Sequence, residues 1–341
     1  MTNSAKHILT ALIARQNLSA EETFEVMAAM LEGRFEEPQI VAALVALRTK
    51  GETGQELAGA ADYMRQRMVR LDSNRTGILD TCGTGGDGSG TFNISTATAL
   101  VAAGAGVPVV KHGNRAVSSR TGSGDVLSVL GVPCDGEVGK TRRCLEETGF
   151  AFCLAPLFHP ALKPIADLRR RLGVPTLFNF IGPLLNPASA CYQLIGVGDR
   201  QLLDPLAEAL AQLGAKRAFL VCGRDGLDEV TLTGPTDVRE VRGHKVTALQ
   251  WQPEDFGLPR CRVDDLLAAN PEESAARITS VLSGQPGPAA DMVMANAAAA
   301  FLAAERVSDL MAGVTLARDT IQSGKALKVL QRLASNSKNR P

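Results

Sequence analysis

The chain of 341 residues has no excess of charge: 36 Lys and Arg balance 36 Asp and Glu. A protein that holds nucleic acid or a membrane surface through its overall field normally shows a basic surplus. Any basic function here has to be local. The seven cysteines, at 82, 134, 144, 153, 191, 222 and 261, contain no CxxC or other metal-like spacing. Such an odd, scattered set reads as free thiols in a reducing compartment, not as a disulfide framework. The first segment, MTNSAKHILTALIARQNLSAEE, lacks the apolar core of a signal peptide. The longest uncharged stretch, between Asp87 and Lys111, is too rich in Ser, Thr, Asn and Gly to span a bilayer. No internal repeat is visible, and only the tail NSKNRP reads as disordered. What remains is 45% hydrophobic, enough for a sizeable core. A soluble, cytoplasmic globular protein is expected.

Strand signals are also missing before residue 77, where the patterning is helical. Ala5, Ile8, Leu9, Leu12 and Ile13 follow helical spacing. Ser19 with Glu22, and Thr53 with Glu56, form capping boxes that open two further helices. Between them PQIVAALVALRTKG (38–51) is apolar on nearly every face, as expected of a helix buried all round or lying in a subunit interface. From residue 77 the texture changes. TGILDTC, VPVVKH, FAFCLAP, YQLIGVG and AFLVCG are short apolar runs, mostly separated by helical segments that end in Gly, such as Gly149 and Gly214. This alternation implies a largely parallel sheet with ligands at the strands' carboxyl ends. From about Pro288 to Leu333 the chain is helical again.

The stretch GTGGDGSGTFNIST (83–96) carries five glycines in its first eight positions, between the run ILDTC and a helix beginning near Ser95–Thr96. Backbone N–H groups of such a loop, with the helix N-terminus, form an anion site. It is not a P-loop, because Ser89 stands where the motif requires Lys. Gly83, Gly85 and Gly88 match GxGxxG, but a dinucleotide site also needs an acid about 20 residues on. The next strand instead delivers Lys111, His112 and Arg115, which suits a second phosphate. The loop KHGNRAVSSRTGSGD (111–125) adds Ser118, Ser119, Thr121 and Ser123 to its cations, and small hydroxyls with guanidiniums are phosphate chemistry. After AFLVCG comes DGLDE (225–229), an acidic cluster at a strand end. Opposite two phosphate loops it reads as a Mg2+ site, since that ion is bound through few carboxylates plus substrate phosphates.

Two phosphate loops, an acidic pair and no Walker lysine describe a pyrophosphate ester of a sugar. The motifs GTGGD…FNIST, KHGNRAVSSRTGSGD, FHPALK, RRRLGVPTLFNFIGPLLNP and DGLDE resemble those of the anthranilate phosphoribosyltransferase family, in that family's order and across almost the whole chain. The resemblance implies Mg2+-dependent transfer of phosphoribosyl from phosphoribosyl pyrophosphate to the anthranilate amine, in tryptophan biosynthesis. It implies a small all-helical domain (1–72, with a helical insertion at about 165–184) and a larger α/β domain (73–164 and 185–341) with a mostly parallel central sheet. It further implies a homodimer joined through the helical domain, and two Mg2+ ions. Gly83, Gly86, Asp87, Thr91, Asn93, Ile94, Ser95 and Thr96 would hold the pyrophosphate and ribose, with Ser95 also reaching a metal. Lys111, Ser119 and Ser123 would meet phosphates, and Asp228 and Glu229 would bind Mg2+. Asn114 and Arg169 would contact anthranilate, with His112 and His159 as further substrate-side candidates. Members commonly carry Arg where this chain has Pro175 and Glu where it has Ser128; both positions lie outside these motifs.

Two other classes share some of these features. A pyrimidine nucleoside phosphorylase has a related architecture and a glycine loop, but uses inorganic phosphate without metal, against which DGLDE speaks. A nucleic-acid-binding relative would have lost the acids and gained basic surface, and neither is the case.

Overall fold

The computed structural model describes residues 2–116 and 121–338. Four helices come first: α1 (Thr2–Ile13), α2 (Ala20–Leu31), α3 (Glu37–Lys50) and α4 (Gly54–Arg67). Both capping boxes form, Ser19 with Glu22 and Thr53 with Glu56. Glu56 is fully buried because it does more than cap. Its carboxylate also accepts the Leu18 N–H at 2.9 Å and pairs with Lys50 Nζ at 2.9 Å, so the start of α4 is tied to the loop before α2 and the end of α3. On α3 the all-round apolar pattern resolves into one inward face, Ile40, Ala43, Leu44 and Leu47, while Val45 is left 40% exposed.

The rest of the chain builds one seven-stranded sheet in the order β3-β2-β1-β4-β5-β6-β7. The strands are β1 (Leu79–Asp80), β2 (Val109–Gly113), β3 (Phe150–Leu154), β4 (Tyr192–Gly196), β5 (Arg217–Gly223), β6 (Thr236–Arg242) and β7 (Lys245–Trp251). The first five pair in parallel and are buried on both faces, which is why they read as continuous apolar runs. β6 and β7 add an antiparallel hairpin at one edge, with Gly243 at φ 57° in its two-residue turn. One apolar core covers one face of the sheet, with α5 (Ile94–Gly104) and the helix Pro288–Ala303 at its centre. A second core, on the other side, joins α1–α4 to the helix Leu203–Gln212 and to Ile165, Leu168, Leu177 and Phe178. No helix among the described residues is long and apolar enough to cross a membrane.

Strand order reverses at β1, whose neighbours β2 and β4 run out in opposite directions along the sheet. The carboxyl ends of strands at such a switch point frame a ligand crevice. Here those ends lead into the glycine loop after β1, the 113–122 loop after β2, Val197–Asp199 after β4 and the acidic cluster after β5.

Candidate functional site

β1 is only two residues long because the chain leaves the ladder at Thr81, whose carbonyl accepts Lys111 Nζ at 2.8 Å. The glycine loop then runs against β4 and the acidic cluster. At Gly83 a Cβ would come within 2.9 Å of the Gly196 oxygen and 3.2 Å of Asp228 Oδ2, so close approach excludes any side chain. Gly85, Gly86 and Gly88 sit at φ 65°, 82° and 68°, a region other residues enter at a cost. Thr84 secures the turn: its N–H donates to Gly196 O at 2.8 Å and its hydroxyl accepts the Gly198 N–H at 3.0 Å. Asp87 accepts the Ser89 N–H at 3.1 Å and lies 3.5 Å from the Asp228 N–H. The Thr91 hydroxyl meets Ser89 Oγ at 3.2 Å.

α5 begins at Ile94, one residue before the expected start. Asn93 does not cap it by its side chain; Ser274 Oγ donates to Asn93 Oδ1 at 2.8 Å and accepts the Asn93 N–H at 2.9 Å. Ile94 and Thr96 turn inward, and Thr96 Oγ1 is buried with no hydrogen-bond partner. Ser95 faces the crevice wall. Its Oγ accepts Lys111 Nζ at 3.1 Å and its N–H donates to Glu229 Oε1 at 3.1 Å. A carboxylate therefore sits at the positive end of α5. The loop cations are less free than the sequence implies. Lys111 is 2% exposed, and Arg115 pairs with Asp125 at 3.4 Å. Asp125 also accepts the N–H groups of Ala116 and Gly122, at 2.8 and 3.2 Å, clipping the ends of the 113–122 loop together. Ser119 lies outside the described residues.

DGLDE divides into two parts. Asp225 is spent on its own turn, accepting the Leu227 N–H and the hydroxyls of Thr231 and Thr233. Asp228 and Glu229 point to the glycine loop. Burial, then the neighbouring Asp87 carboxylate, raise Asp228 to about 7, and burial with Asp228 beside it pushes Glu229 well above the usual carboxylate range. Three carboxylates crowd one place with Lys111 as the cation among them. Such a cluster favours a bound cation. Among the described residues no group of three or more His, Cys, Asp or Glu side chains could hold a metal alone, so further ligands would have to come from elsewhere.

The segment after β3 carries a second set. His112, on β2, is 3.1 Å from His159, Nε2 to Nε2, and its Nδ1 lies 3.0 Å from Gly182 O. Burial lowers His112 to about 3 and His159 to about 4. Asn114 is exposed; its Oδ1 accepts the Arg115 N–H, and its carbonyl accepts Ser123 Oγ at 3.4 Å. On the helix Ala166–Leu172 three successive Arg point different ways. Arg170 is tied to Asp167, and Arg171 to Glu37 at 2.6 Å and Asp167 at 3.0 Å. Arg169 packs 5.0 Å over the Phe178 ring, and its Nε is buried without a partner. Spacing alone cannot choose among these arginines; packing does.

Ser95, Lys111, Asp87, Asp228 and Glu229 are thus joined in one network, with His112–His159 and Asn114–Ser123 as separate pairs. Thr81, Gly196 and Gly198, which the sequence reading passed over, complete the network's backbone. The GVG at the end of YQLIGVG was the available signal, since glycines at a strand end mark close approach of another chain segment.

Two family models match the chain: "Glycosyl transferase family, helical bundle domain" over residues 6–68, and "Glycosyl transferase family, a/b domain" over 75–327. An anthranilate phosphoribosyltransferase of Symbiobacterium thermophilum is 47% identical over 328 residues, covering 96% of each chain. The crystal structure of anthranilate phosphoribosyltransferase from Thermus thermophilus superposes with a TM-score of 0.90 at 42% identity, covering 97% of this chain and 99% of that one. The enzyme of Saccharomyces cerevisiae in complex with PRPP and Mg superposes with a TM-score of 0.89 at 28% identity, covering 100% of this chain and 99% of that one. The yeast enzyme is also known in complex with 4-fluoroanthranilate.

Proposed function

This chain belongs to the anthranilate phosphoribosyltransferase family, and we infer that it moves the phosphoribosyl group of phosphoribosyl pyrophosphate (PRPP) onto the amine of anthranilate, releasing pyrophosphate, in tryptophan biosynthesis. The observation that carries this reading is the Lys111–Ser95–Glu229 network facing Asp87 and Asp228 beneath a glycine loop at the sheet's switch point.

In this reading Gly83, Gly86, Asp87, Thr91, Asn93 and Ser95 receive the pyrophosphate and ribose, with Ile94 and Thr96 contributing through backbone only. Lys111, Ser119 and Ser123 meet phosphate oxygens. Asp228, Glu229 and the Ser95 hydroxyl are hard oxygen donors suited to Mg2+, and their crowded negative charge fits two ions completed by substrate phosphates. Bound Mg2+ would neutralise charge on the departing pyrophosphate. An aniline nitrogen is nucleophilic at neutral pH, so the chain needs no covalent nucleophile. Its work is to orient the two reactants and surround an oxocarbenium-like C1 with fixed charge. Asn114 and Arg169 hold anthranilate, Arg169 through its carboxylate, with His112 and His159 behind them.

The reading assigns 1–72 and the insertion at about 165–184 to a helical domain, supported by the apolar core that α1–α4 share with Ile165, Leu168 and Phe178. A cytoplasmic homodimer through that domain is part of it, supported by the exposed Val45 and Ala42 on α3. The test is incubation with anthranilate and PRPP, with Mg2+ or with EDTA, following fluorescence as anthranilate is consumed. Conversion that needs Mg2+ is expected. Inertness toward this pair, with cleavage of a pyrimidine nucleoside by inorganic phosphate, would contradict it.

A further inference from the structure

The glycine loop has little scaffold of its own. Nothing lies within 4 Å of a Cβ placed at Gly85, Gly86 or Gly88. The segment after β4, Val197–Asp199, serves as its template. Gly198 lies so close that a Cβ there would meet Gly85 O at 2.8 Å and the Asp87 nitrogen at 3.1 Å. Its N–H donates to the Thr84 hydroxyl at 3.0 Å. The next residue, Asp199, holds that template from behind. Asp199 Oδ1 accepts the Gln201 N–H at 3.0 Å, and Oδ2 accepts Arg48 Nη2, from α3, at 3.1 Å.

Arg48 is gripped from two further sides. Its Nη1 donates to Glu52 Oε2 at 3.4 Å, and its guanidinium carbon lies 4.8 Å over the Phe180 ring. The Glu52 side chain is fully buried and its Oε1 has no partner, so Arg48 is held there by the cost of leaving that carboxylate alone. Phe180 belongs to the short helix Leu177–Phe180, which also carries Phe178 beneath Arg169. One planar cation thus rests against the segment proposed for the acceptor while anchoring the backing of the glycine loop.

We propose that Arg48 is a positioning residue for PRPP: through Asp199 and Gly198 it sets where the glycine loop presents its N–H groups to the pyrophosphate. This rests on the transferase reading above, which gives the loop to PRPP. Arg48 acts without touching the substrate. A template that shifts on its loss carries Gly85 and Asp87 along, because both lie against Gly198.

Two variants cut this link from opposite ends. Arg48→Gln removes the cation. Asp199→Ser keeps a hydroxyl to cap the Gln201 N–H but is too short to reach Arg48. The pair's side chains are 35% and 37% exposed. Each variant should therefore raise the Kd for PRPP with Mg2+, read by calorimetry, by about 5-fold, the most such a pair carries. Asp199→Ser leaves Glu52 paired with Arg48, and it decides the matter if Arg48→Gln does not fold. In Asp199→Ser, KM for PRPP should rise while KM for anthranilate stays unchanged, and amides of 84–88 should exchange faster in the free protein. The double variant should bind PRPP no more weakly than either single one, since both cut the same chain of contacts. Arg48→Lys, which keeps a cation, should recover part of the affinity. Losses that multiply to about 25-fold, or a lower melting temperature with PRPP affinity unchanged, would overturn the proposal. An unaltered chain that fails to bind PRPP would refute the transferase reading and this role with it.

Discussion

The two halves of the crevice are built on opposite plans. On the phosphate side the polar groups hold one another. Lys111 spans Thr81 and Ser95, Glu229 takes the Ser95 N–H, and Thr84 ties the glycine loop to Gly196 and Gly198. Thr96 and Thr98 on α5 are exceptions, inward hydroxyls without partners. On the side of residues 155–184, Arg169 Nε is buried and unpartnered. A buried polar group in that state costs about 1–3 kcal/mol. A ligand that supplies the partner recovers that energy on binding. In the proposed reading the phosphate half is therefore organised by the protein, whereas the acceptor half would be completed by anthranilate.

The largest test of the phosphate half removes its acids. Asp228→Asn with Glu229→Gln should lower turnover at saturating Mg2+ by at least about 100-fold, judged from the loss of single electrostatic groups in other active sites. Thermal melting should show the fold intact, because the crowding that raises both groups is relieved. Full activity in the double variant would remove the metal from the account.

The acceptor half is tested next by Arg169→Ala. Loss of a charge-assisted hydrogen bond worth about 1.5–3 kcal/mol should raise KM for anthranilate about 10- to 150-fold and leave KM for PRPP nearly unchanged. Arg170→Ala should do neither, since that side chain is 77% exposed and tied to Asp167. If Arg170 showed the larger effect, the acceptor site would lie elsewhere.

Gly86→Val returns to the phosphate side. No atom lies within 4 Å of a Cβ at Gly86, so the penalty comes from its φ of +82° and from the approaching ligand. A strained backbone position costs about 1–3 kcal/mol. Some of that should appear as a raised KM for PRPP, with anthranilate saturating. An unchanged value would place the phosphates away from this turn.

The smallest effect concerns stability. Both histidines have folded values, about 3 and about 4, below the ordinary 6.5. As pH falls through 6.5 the unfolded chain takes up protons that the native chain refuses, so stability is full above this range and declines below it. Each buried histidine should cost about 1.4 kcal/mol at pH of about 5.5. Chemical denaturation of the native chain and of His112→Gln/His159→Gln measures this; an equal slope in both would contradict it.

The same division marks what the sequence made legible. Strand runs, capping boxes and loop positions were readable because they follow period, Gly placement and local hydrogen bonding. Arg169 was named by the family resemblance alone, since three adjacent arginines look alike until Asp167 and Glu37 engage two of them. The β6–β7 hairpin went unread because its strands, TDVREVR and KVTALQW, are half-exposed at a sheet edge and carry charge that masks the alternation. Ile94 and Thr96 face inward on the first turn of α5, a side the clustering of Asn, Ser and Thr at 93–96 does not reveal. Long-range closures, such as Ser274 on Asn93, have no local signature at all.

Hydrogen–deuterium exchange with PRPP and Mg2+, without anthranilate, tests the division itself. Protection of backbone amides in 83–96 and 225–230, with unchanged exchange across 166–180, is expected. Protection centred on 166–180, with the glycine loop unaffected, would contradict it.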